Sequence, residues 1–186
     1  MIRLFLALPL NVYFLPELMS YCDRNKHKFL DLKWVQADQI HITLFFFGSV
    51  DSSVVPTITE NIRPIIASYK PMSLGLDGIG CFPNPRNMRV LWTGITGDVD
   101  TLIQCQHRVE LELQKLGFPR EEREFRAHAT LARARKKSKG VSIDLKAFPN
   151  LKAEARAIGY VILYQSHLTP EGPRYEPLQT YFFEQG

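Results

Sequence analysis

Two histidine–threonine pairs are the residues of this chain best suited to chemistry. The strings "HITLFFFG" and "HATLARAR" begin at His41 and His128, so His-x-Thr-Leu occurs twice. In a strand, residues two apart share a face, so each histidine lies beside its threonine, Thr43 or Thr130, while apolar residues anchor the other face. At neutral pH one imidazole can be neutral and take a proton from water, while the other is protonated and gives a proton to a departing oxygen. Such a pair suits in-line displacement at phosphorus, with threonine hydroxyls donating hydrogen bonds to phosphate oxygens.

This chemistry needs no metal. Structural zinc takes four nitrogen or sulfur ligands and catalytic zinc usually three, whereas the motifs supply two histidines and the three cysteines are far apart in sequence. We therefore predict no metal and no other cofactor. The odd, unpaired cysteine count favours single buried or half-buried thiols in a reducing cytosol. A third His-x-Thr, at His167, lacks the leucine and runs into Pro170, which predicts a turn.

The motifs are separated by a spacing that recurs along the chain. Three spacings of nearly one length are 87 residues from His41 to His128, 86 from Arg3 to Arg89, and 87 from Met88 to Tyr175. Each is close to half of the 186 residues. We therefore predict one domain over residues 1–186, built from two pseudo-repeats offset by about 87 residues.

The elements that must position the motifs follow from the apolar periodicity. Helices are predicted at 16–27, 54–67 and 98–116, with a short one near 142–148. Strands are predicted at 2–8, 32–35, 40–47, 73–79, 88–95, around His128, and at 153–165 and 175–183. Strands in adjacent pairs favour antiparallel sheets over a doubly wound parallel sheet. The predicted fold is a bilobed α+β duplication, with two antiparallel sheets facing across a central cleft and helices on the outside.

The composition is that of an ordinary soluble protein. Hydrophobic residues make up 45% of the chain and charged residues 23%, and no apolar run reaches the ~18 residues of a membrane span. The string "LFLALPL" predicts a first strand rather than a signal peptide, because Asn11 and Pro16 interrupt the apolar run after it and no small-x-small cleavage site is present. We therefore predict a cytoplasmic protein without membrane attachment, acting as a monomer.

Positive charge is concentrated around the second motif. The net charge is +4, but residues 115–140 contain nine basic and three acidic side chains, which gives 9 − 3 = +6 there and −2 elsewhere. Such a segment is typical of a phosphate-bearing partner and equally of a solvated surface loop. The basic residues are Lys115, Arg120, Arg123, Arg126, Arg133, Arg135, Lys136, Lys137 and Lys139.

With these motifs, the chain resembles the RNA 2′,3′-cyclic phosphodiesterases, also called 2′–5′ RNA ligases, of the two-histidine phosphoesterase superfamily. The resemblance covers nearly the whole chain, through "RLFLAL", "WVQADQIHITLFFFG", "GIGCFPNPRNMRVLWTGI", "FRAHATLARAR", "LYQSHL" and "RYEPL". The chain departs from the family at Ala127, where proline is usual, and at Ala129, where a larger aliphatic residue is usual. Both positions lie beside or behind the face of His128, so they bear on local rigidity rather than on chemistry.

The resemblance implies a reaction and its residues. It implies metal-independent opening of an RNA-terminal 2′,3′-cyclic phosphate to a 2′-phosphomonoester, with 2′–5′ ligation as the reverse reaction when a 5′-hydroxyl replaces water. It implies RNA ends, tRNA fragments among them, as partners. It assigns His41 as proton donor to the departing 3′ oxygen, His128 as the base that activates water, and Thr43 and Thr130 as phosphate ligands. The symmetry of the motifs leaves the acid and base roles interchangeable from sequence alone.

Two arginines are further candidates. Arg133 matches a phosphate-contacting arginine of the family, yet strict alternation places it opposite His128, so a twist, a bulge or a strand end must bring it round. Arg126 shares the face of His128 and is a candidate cation for the substrate. Its alternative is a structural ion pair with Glu122 or Glu124.

Tyr164 and Phe5 are candidates to stack on a base, since aromatic side chains commonly read single-stranded RNA ends, with ordinary core packing as the alternative. Two other functions stay open. One is a module that binds RNA ends without turnover, which steep salt dependence of binding without product would favour. The other is a sister two-histidine phosphodiesterase acting on small cyclic nucleotides or 2′–5′ linkages, which a substrate panel separates from the first.

Overall fold

The fold is given by a computed structural model that describes residues 1–135, 141–170 and 172–184. In chain order its strands and helices are β1 Ile2–Pro9, α1 Asn11–Asn25, β2 Leu32–Trp34, β3 His41–Val50, α2 Val55–Ala67, β4 Met72–Phe82, β5 Val90–Gly97, α3 Val99–Lys115, β6 His128–Ala134, β7 Lys152–Ile158, β8 Tyr160–Leu168 and β9 Pro173–Phe182. Short 3-10 turns lie at Ala37–Gln39, Ser52–Val54, Pro85–Asn87 and Leu145–Ala147. Lys136, Lys137 and Lys139 of the basic segment lie outside the described residues.

The strands form two antiparallel sheets. The first sheet has the order β3-β1-β8-β9, and the second has the order β2-β6-β5-β4-β7. Every pair in both sheets is antiparallel, so the predicted α+β class with antiparallel sheets is confirmed. His41 opens β3 on the first sheet and His128 opens β6 on the second, and these two strands contact each other between the sheets.

Helices cover the outer faces and complete the core. The helix α3 packs on α2 and contacts both sheets, through β3 and β4. One continuous core cluster joins the buried side chains of β1, α2 and α3, among them Leu4, Leu6, Leu8, Ile58, Ile62, Leu102 and Val109. Within the described ranges no helix is long and apolar enough to span a membrane.

Three predicted elements differ from the structure. The first helix begins at Asn11 rather than at residue 16, and it accommodates Pro16 through non-helical dihedral angles at Phe14. The run 153–165 is two strands, because Gly159 separates β7 of the second sheet from β8 of the first. The short helix near 142–148 is a single 3-10 turn at Leu145–Ala147.

Two minor predictions are confirmed. The turn predicted at the third His-x-Thr is confirmed from Thr169 onward, whereas His167 itself lies in β8. Thr169 and Gly172 exchange backbone hydrogen bonds of 3.0 and 3.1 Å between β8 and β9. All three cysteines are unpaired; Cys22 and Cys105 are buried and Cys81 is half-buried.

Each half of the chain contributes strands to both sheets. In each half the motif strand lies beside the first strand, β3 beside β1 and β6 beside β5. One later strand of each half pairs with the other half, since β4 of the first half pairs with β5 and β8 of the second half pairs with β1. The spacing from Met88 to Tyr175 does not join equivalent places, since β5 is an interior strand and β9 an edge strand.

The pairing register relates the first strand of each half to its motif strand. Phe5 and Val90 each pair with the residue that lies five positions after the motif histidine of the neighbouring strand. The strands β1 and β5 therefore correspond at 90 − 5 = 85 residues, whereas the motifs correspond at 87. Consequently Arg3 and Arg89 are not equivalent positions, despite their spacing of 86.

Candidate active site

His41 is fixed by its own strand and by the turn before it. Its Nδ1 lies 2.8 Å from the backbone carbonyl of Gln39, and its Nε2 lies 3.1 Å from Oγ1 of Thr43. A carbonyl oxygen accepts only, so Nδ1 carries the hydrogen and Nε2 is the atom that gains or loses a proton. In the neutral ring the Thr43 hydroxyl therefore donates to Nε2.

His128 is held in the same way. Its Nδ1 donates to the backbone carbonyl of Arg126 at 2.6 Å, again two residues before the histidine. Its Nε2 is consequently the titrating atom, as in His41. Arg126 thus acts on the site through its carbonyl. None of the ion pairs between described residues joins its guanidinium to Glu122 or Glu124.

The surroundings of both imidazoles favour their neutral form in the free protein. Burial lowers the pKa of His41 to about 4, against the hydrogen bond to Gln39, and the charges of Arg133 and His128 lower it further. Burial also lowers the pKa of His128, with Arg133 acting in the same direction. One neutral and one protonated ring, the pair of states that the reaction needs, are therefore not the states that the free protein favours. A bound phosphate anion favours the imidazolium form and therefore raises the pKa of a histidine beside it.

A bulge brings Arg133 to the site, as its expected role requires. Thr130 and Ala132 pair with consecutive residues of β5, so Leu131 is an extra residue in β6. One extra residue shifts the alternation by one position. Arg133 therefore returns to the face of His128, and its charge reaches both histidines.

The first motif contains the same irregularity. Thr43 and Phe45 pair with consecutive residues of β1, so Leu44 is the extra residue in β3. Leu44 and Leu131 are the leucines of the two His-x-Thr-Leu motifs and lie 131 − 44 = 87 residues apart. The leucine of each motif thus marks a bulge directly after the threonine.

The two bulged leucines obtain hydrogen-bond donors from different sources. The Leu131 carbonyl accepts from the backbone N–H of Val35, next to β2, at 2.9 Å. Among the described strands, β3 lies at the edge of its sheet and has no such neighbour. There the side-chain amide of Gln106, from α3, donates to the Leu44 carbonyl at 3.3 Å. Gln106 is only 6% exposed, so this bond is made away from water.

Aromatic rings surround His41. Its ring centroid lies 4.9 Å from that of Phe5 and 5.4 Å from that of Tyr175, and Phe5 stacks on Tyr164 at 5.2 Å. The structure therefore brings both predicted aromatic residues to the site. Phe5 is buried beneath the other rings, which favours packing over an open stacking surface for this residue. Tyr175 was missed, because its approach depends on the pairing of β8 with β9.

Different rings surround His128, and sequence reasoning found neither of them. Phe82 contacts the imidazole edge-on at 5.0 Å, and Trp92 lies at 6.1 Å. The indole lies over Gly80, where a Cβ atom would come within 2.2 Å of Cζ2 of Trp92. Alternation along β5 places Trp92 beside Thr130 once the pairing is known, but the sequence does not reveal that pairing.

A cavity of about 390 Å³ opens beside His41. Tyr164 and Tyr175 form its aromatic wall, and Asp38, Asn11 and Arg174 are among its polar lining. Its volume is within the range of small-molecule sites. The site thus combines two histidines, two threonines and one arginine with an adjoining cavity that has both aromatic and polar walls.

Comparison with known proteins agrees with this arrangement. The family model of the 2′-5′ RNA ligase superfamily matches residues 23–157. A protein of Methanothermobacter thermautotrophicus named RNA 2′,3′-cyclic phosphodiesterase is 30% identical over 97% of this chain and 98% of its own length. One of the same name from Aeropyrum pernix is 33% identical over 84% of this chain and 89% of its own.

Solved structures have the same fold. The crystal structure of apo E. coli LigT superposes with a TM-score of 0.78 at 25% identity, covering 99% of this chain and 98% of that one. A Thermus thermophilus structure reaches 0.82 at 23% identity, with 97% of both chains covered, and shows likeness of fold alone. In this fold, each of the two sheets carries one histidine–threonine pair of the site. The chain belongs to the 2′-5′ RNA ligase superfamily.

Proposed function

We propose that this protein hydrolyses the 2′,3′-cyclic phosphate at an RNA end to a 2′-phosphomonoester, with His41 and His128 as its acid and base. The observation that carries the proposal is the twin geometry of the histidines. In each, Nδ1 donates to a backbone carbonyl two residues earlier, so Nε2 alone is available for proton transfer. The family and the names of the relatives support the substrate.

In the proposed reaction His128 is the base. Its neutral Nε2 takes a proton from water as the water oxygen attacks phosphorus, and the 3′ oxygen leaves on the opposite side. His41, protonated in the substrate complex, gives its Nε2 proton to that oxygen. The direction of the two roles rests on the family resemblance. With a 5′-hydroxyl in place of water, the same groups give the 2′–5′ linkage.

Protonation of His41 frees the hydroxyl of Thr43. In the neutral ring this hydroxyl donates to Nε2, 3.1 Å away. Once Nε2 carries a proton, it no longer accepts, and the Thr43 hydrogen is available to a phosphate oxygen. Thr130 occupies the corresponding position beside His128, and Arg133 offsets the negative charge that develops in the transition state.

We further propose that the protein acts as a monomer in the cytoplasm, as one domain of two pseudo-repeats, without metal or cofactor. One chain supplies both histidine–threonine pairs, so catalysis needs no second subunit. Tyr164, Phe5 and Arg126 act in this proposal as walls and supports of the site rather than as reacting groups.

The first experiment is incubation of the purified protein, in excess EDTA, with a short RNA ending in a 2′,3′-cyclic phosphate. Products with a 2′-phosphate and a 3′-phosphate are then separated. The 2′-phosphate is expected. A 3′-phosphate would overturn the assignment of the leaving group, and no product at all would favour the RNA-end-binding module or a sister enzyme with another substrate.

Two substitutions test the roles of the histidines. His41→Ala and His128→Ala are each expected to abolish turnover while the protein remains folded by circular dichroism. His27→Ala is the matched control, because His27 lies exposed two residues after the end of α1. Full activity in both active-site variants would refute the proposal.

A further inference from the structure

Phe46 is an exposed aromatic residue on the face that carries the site. It is 49% exposed, whereas its neighbours Phe45 and Phe47 are buried in the core. Phe46 pairs with Phe5, and directly paired residues point to the same side of a sheet. Phe5 in turn contacts His41, so the ring of Phe46 is open on the His41 side of the first sheet.

Arg3 lies on this ring. Its guanidinium carbon is 4.7 Å from the ring centroid of Phe46. Arg3 is two residues before Phe5 in β1 and therefore shares its face. Its charge reaches Tyr175, one of the rings around His41, and none of the ion pairs among the described residues involves it.

The two halves of the chain differ at this place. Phe46 follows His41 by five residues, as Arg133 follows His128 by five. After the same bulge, the first half thus presents an aromatic ring where the second half presents a cation. The cation on the first sheet comes instead from the neighbouring strand, as Arg3. A cation beside an open aromatic ring is suited to single-stranded nucleic acid, because the ring can stack on a base while the cation pairs with a phosphate.

The position of Phe46 relative to the catalytic residues indicates which nucleotide of the RNA it contacts. In the proposed function, His41 protonates the 3′ oxygen, and this oxygen remains part of the terminal ribose. The terminal ribose and the RNA chain before it therefore lie on the side of the first sheet. Phe46 lies three residues beyond Thr43 in β3, but because Leu44 is an extra residue there, their partners in β1 are only two residues apart, roughly 7 Å at ~3.3 Å per residue. With the cyclic phosphate bound at Thr43, a separation of this size corresponds to the next nucleotide along the RNA.

We propose that Arg3 and Phe46 bind the nucleotide immediately 5′ to the cyclic-phosphate end, with Phe46 stacked on its base and Arg3 paired with its phosphate. This site rests on the proposed function and extends it, because it makes an RNA chain a better substrate than a cyclic mononucleotide.

The test compares two substrates, a 2′,3′-cyclic mononucleotide and a pentanucleotide RNA with the same terminal nucleotide. The wild-type protein is expected to prefer the RNA in kcat/KM. Phe46→Ala is expected to reduce kcat/KM for the RNA roughly five- to a hundredfold, the range that stacking on one base provides, and to leave the mononucleotide unchanged. Phe46→Tyr keeps the ring and is expected to keep the preference.

Arg3→Ala tests the electrostatic half of the site. It is expected to lower kcat/KM for the RNA and to reduce the slope of log KM against log salt by about 0.7, the value for one phosphate on a single strand. Phe46→Ala leaves that slope unchanged. The matched control is Arg108→Ala, which removes the same charge and a cation–π contact of 5.3 Å with Tyr69 on the helical side of the molecule.

The outcomes separate this inference from the proposed function. An equal loss for both substrates in Phe46→Ala, or no RNA preference in the wild type, overturns the inference while turnover upholds the proposed function. If neither substrate reacts, the proposed function fails, and equilibrium binding of a 3′-phosphorylated pentanucleotide to the same variants decides the site. Equal affinities of wild type, Arg3→Ala and Phe46→Ala would then refute it.

Discussion

The hydrogen bond from Gln106 to Leu44 is expected to support both stability and turnover. In Gln106→Leu the side chain keeps nearly its size, but the Leu44 carbonyl loses the donor that lies 3.3 Å away. A buried acceptor left unpaired costs about 1–3 kcal/mol. For a chain of 150–250 residues each kcal/mol corresponds to roughly 2–4 °C in Tm, so a decrease of about 2–12 °C is expected.

The same loss acts on the site through the bulge. The extra residue at Leu44 follows Thr43 directly and determines on which face the next side chains lie. When the carbonyl lacks its partner, Thr43 and His41 lose their fixed relation. A displacement of about 1 Å costs up to ~100-fold in rate. We expect a decrease of roughly 10- to 100-fold in kcat with little change in KM.

The assay pairs this variant with Gln114→Leu. Gln114 lies eight residues later on the same helix, and its Nε2 is buried without a hydrogen-bond partner in the described part of the chain. Its replacement removes the same amide but no bond, so stability is expected to stay equal or rise. Urea unfolding gives the free energy for both variants, and kcat is measured at 25 °C, where both are folded.

Two results would refute this reasoning. Equal unfolding free energies for the two variants would mean that the bulge at Leu44 does not need the amide of Gln106. A destabilised Gln106→Leu with unchanged kcat would mean that the bond supports the fold alone and does not position Thr43.

The remaining predictions concern proton transfer and the second histidine. The pH profile of kcat/KM is expected to be bell-shaped with both limbs below pH 6.5. This profile reports the free protein, in which burial lowers the pKa of His41 to about 4 and also lowers the pKa of His128. A profile centred above pH 7 would contradict this expectation. Saturating inorganic phosphate is expected to raise the pKa of both imidazoles in NMR titrations, and unchanged values would argue against anion binding between them. Gly80→Ala is expected to displace Trp92, which alters tryptophan fluorescence and reduces kcat. Gly159→Ala is expected to change neither, because the described residues place no atom within 4 Å of the added Cβ. Identical behaviour of the two variants would show that the position of the indole is unimportant.

Local sequence patterns predicted the features that depend only on residues close in sequence, such as strand faces and helix bounds. Alternation within two short strands placed each threonine beside its histidine, and the amphipathic run of α3 matched the helix to within one residue at each end. For Arg133 the alternation failed, and that failure itself predicted a bulge. The identity of the bulged residue, Leu131, depends on pairing with β5 and could not be read from β6 alone.

The rest of the site depends on contacts between distant segments. Phe82 and Trp92 reach His128 because β4 and β5 lie next to its strand in the second sheet. The run 153–165 keeps an apolar pattern through Gly159, and only the division between the sheets makes it two strands. The neutral state of both histidines follows from burial, which is a property of the assembled fold.

The exchange of β4 and β8 between the sheets bears on how such a site can arise. In a half-length chain with one motif, one edge of the first strand would be unpaired. Two copies could pair these edges by exchanging the later strand, the counterpart of β4 or β8. The cleft would then lie on the twofold axis of a homodimer, with one identical histidine from each subunit. Acid and base roles require histidines in different protonation states, which identical surroundings do not favour. On the proposed duplication, joining the copies in one chain removes that symmetry and allows His41 and His128 to acquire separate surroundings, as their different aromatic neighbours illustrate.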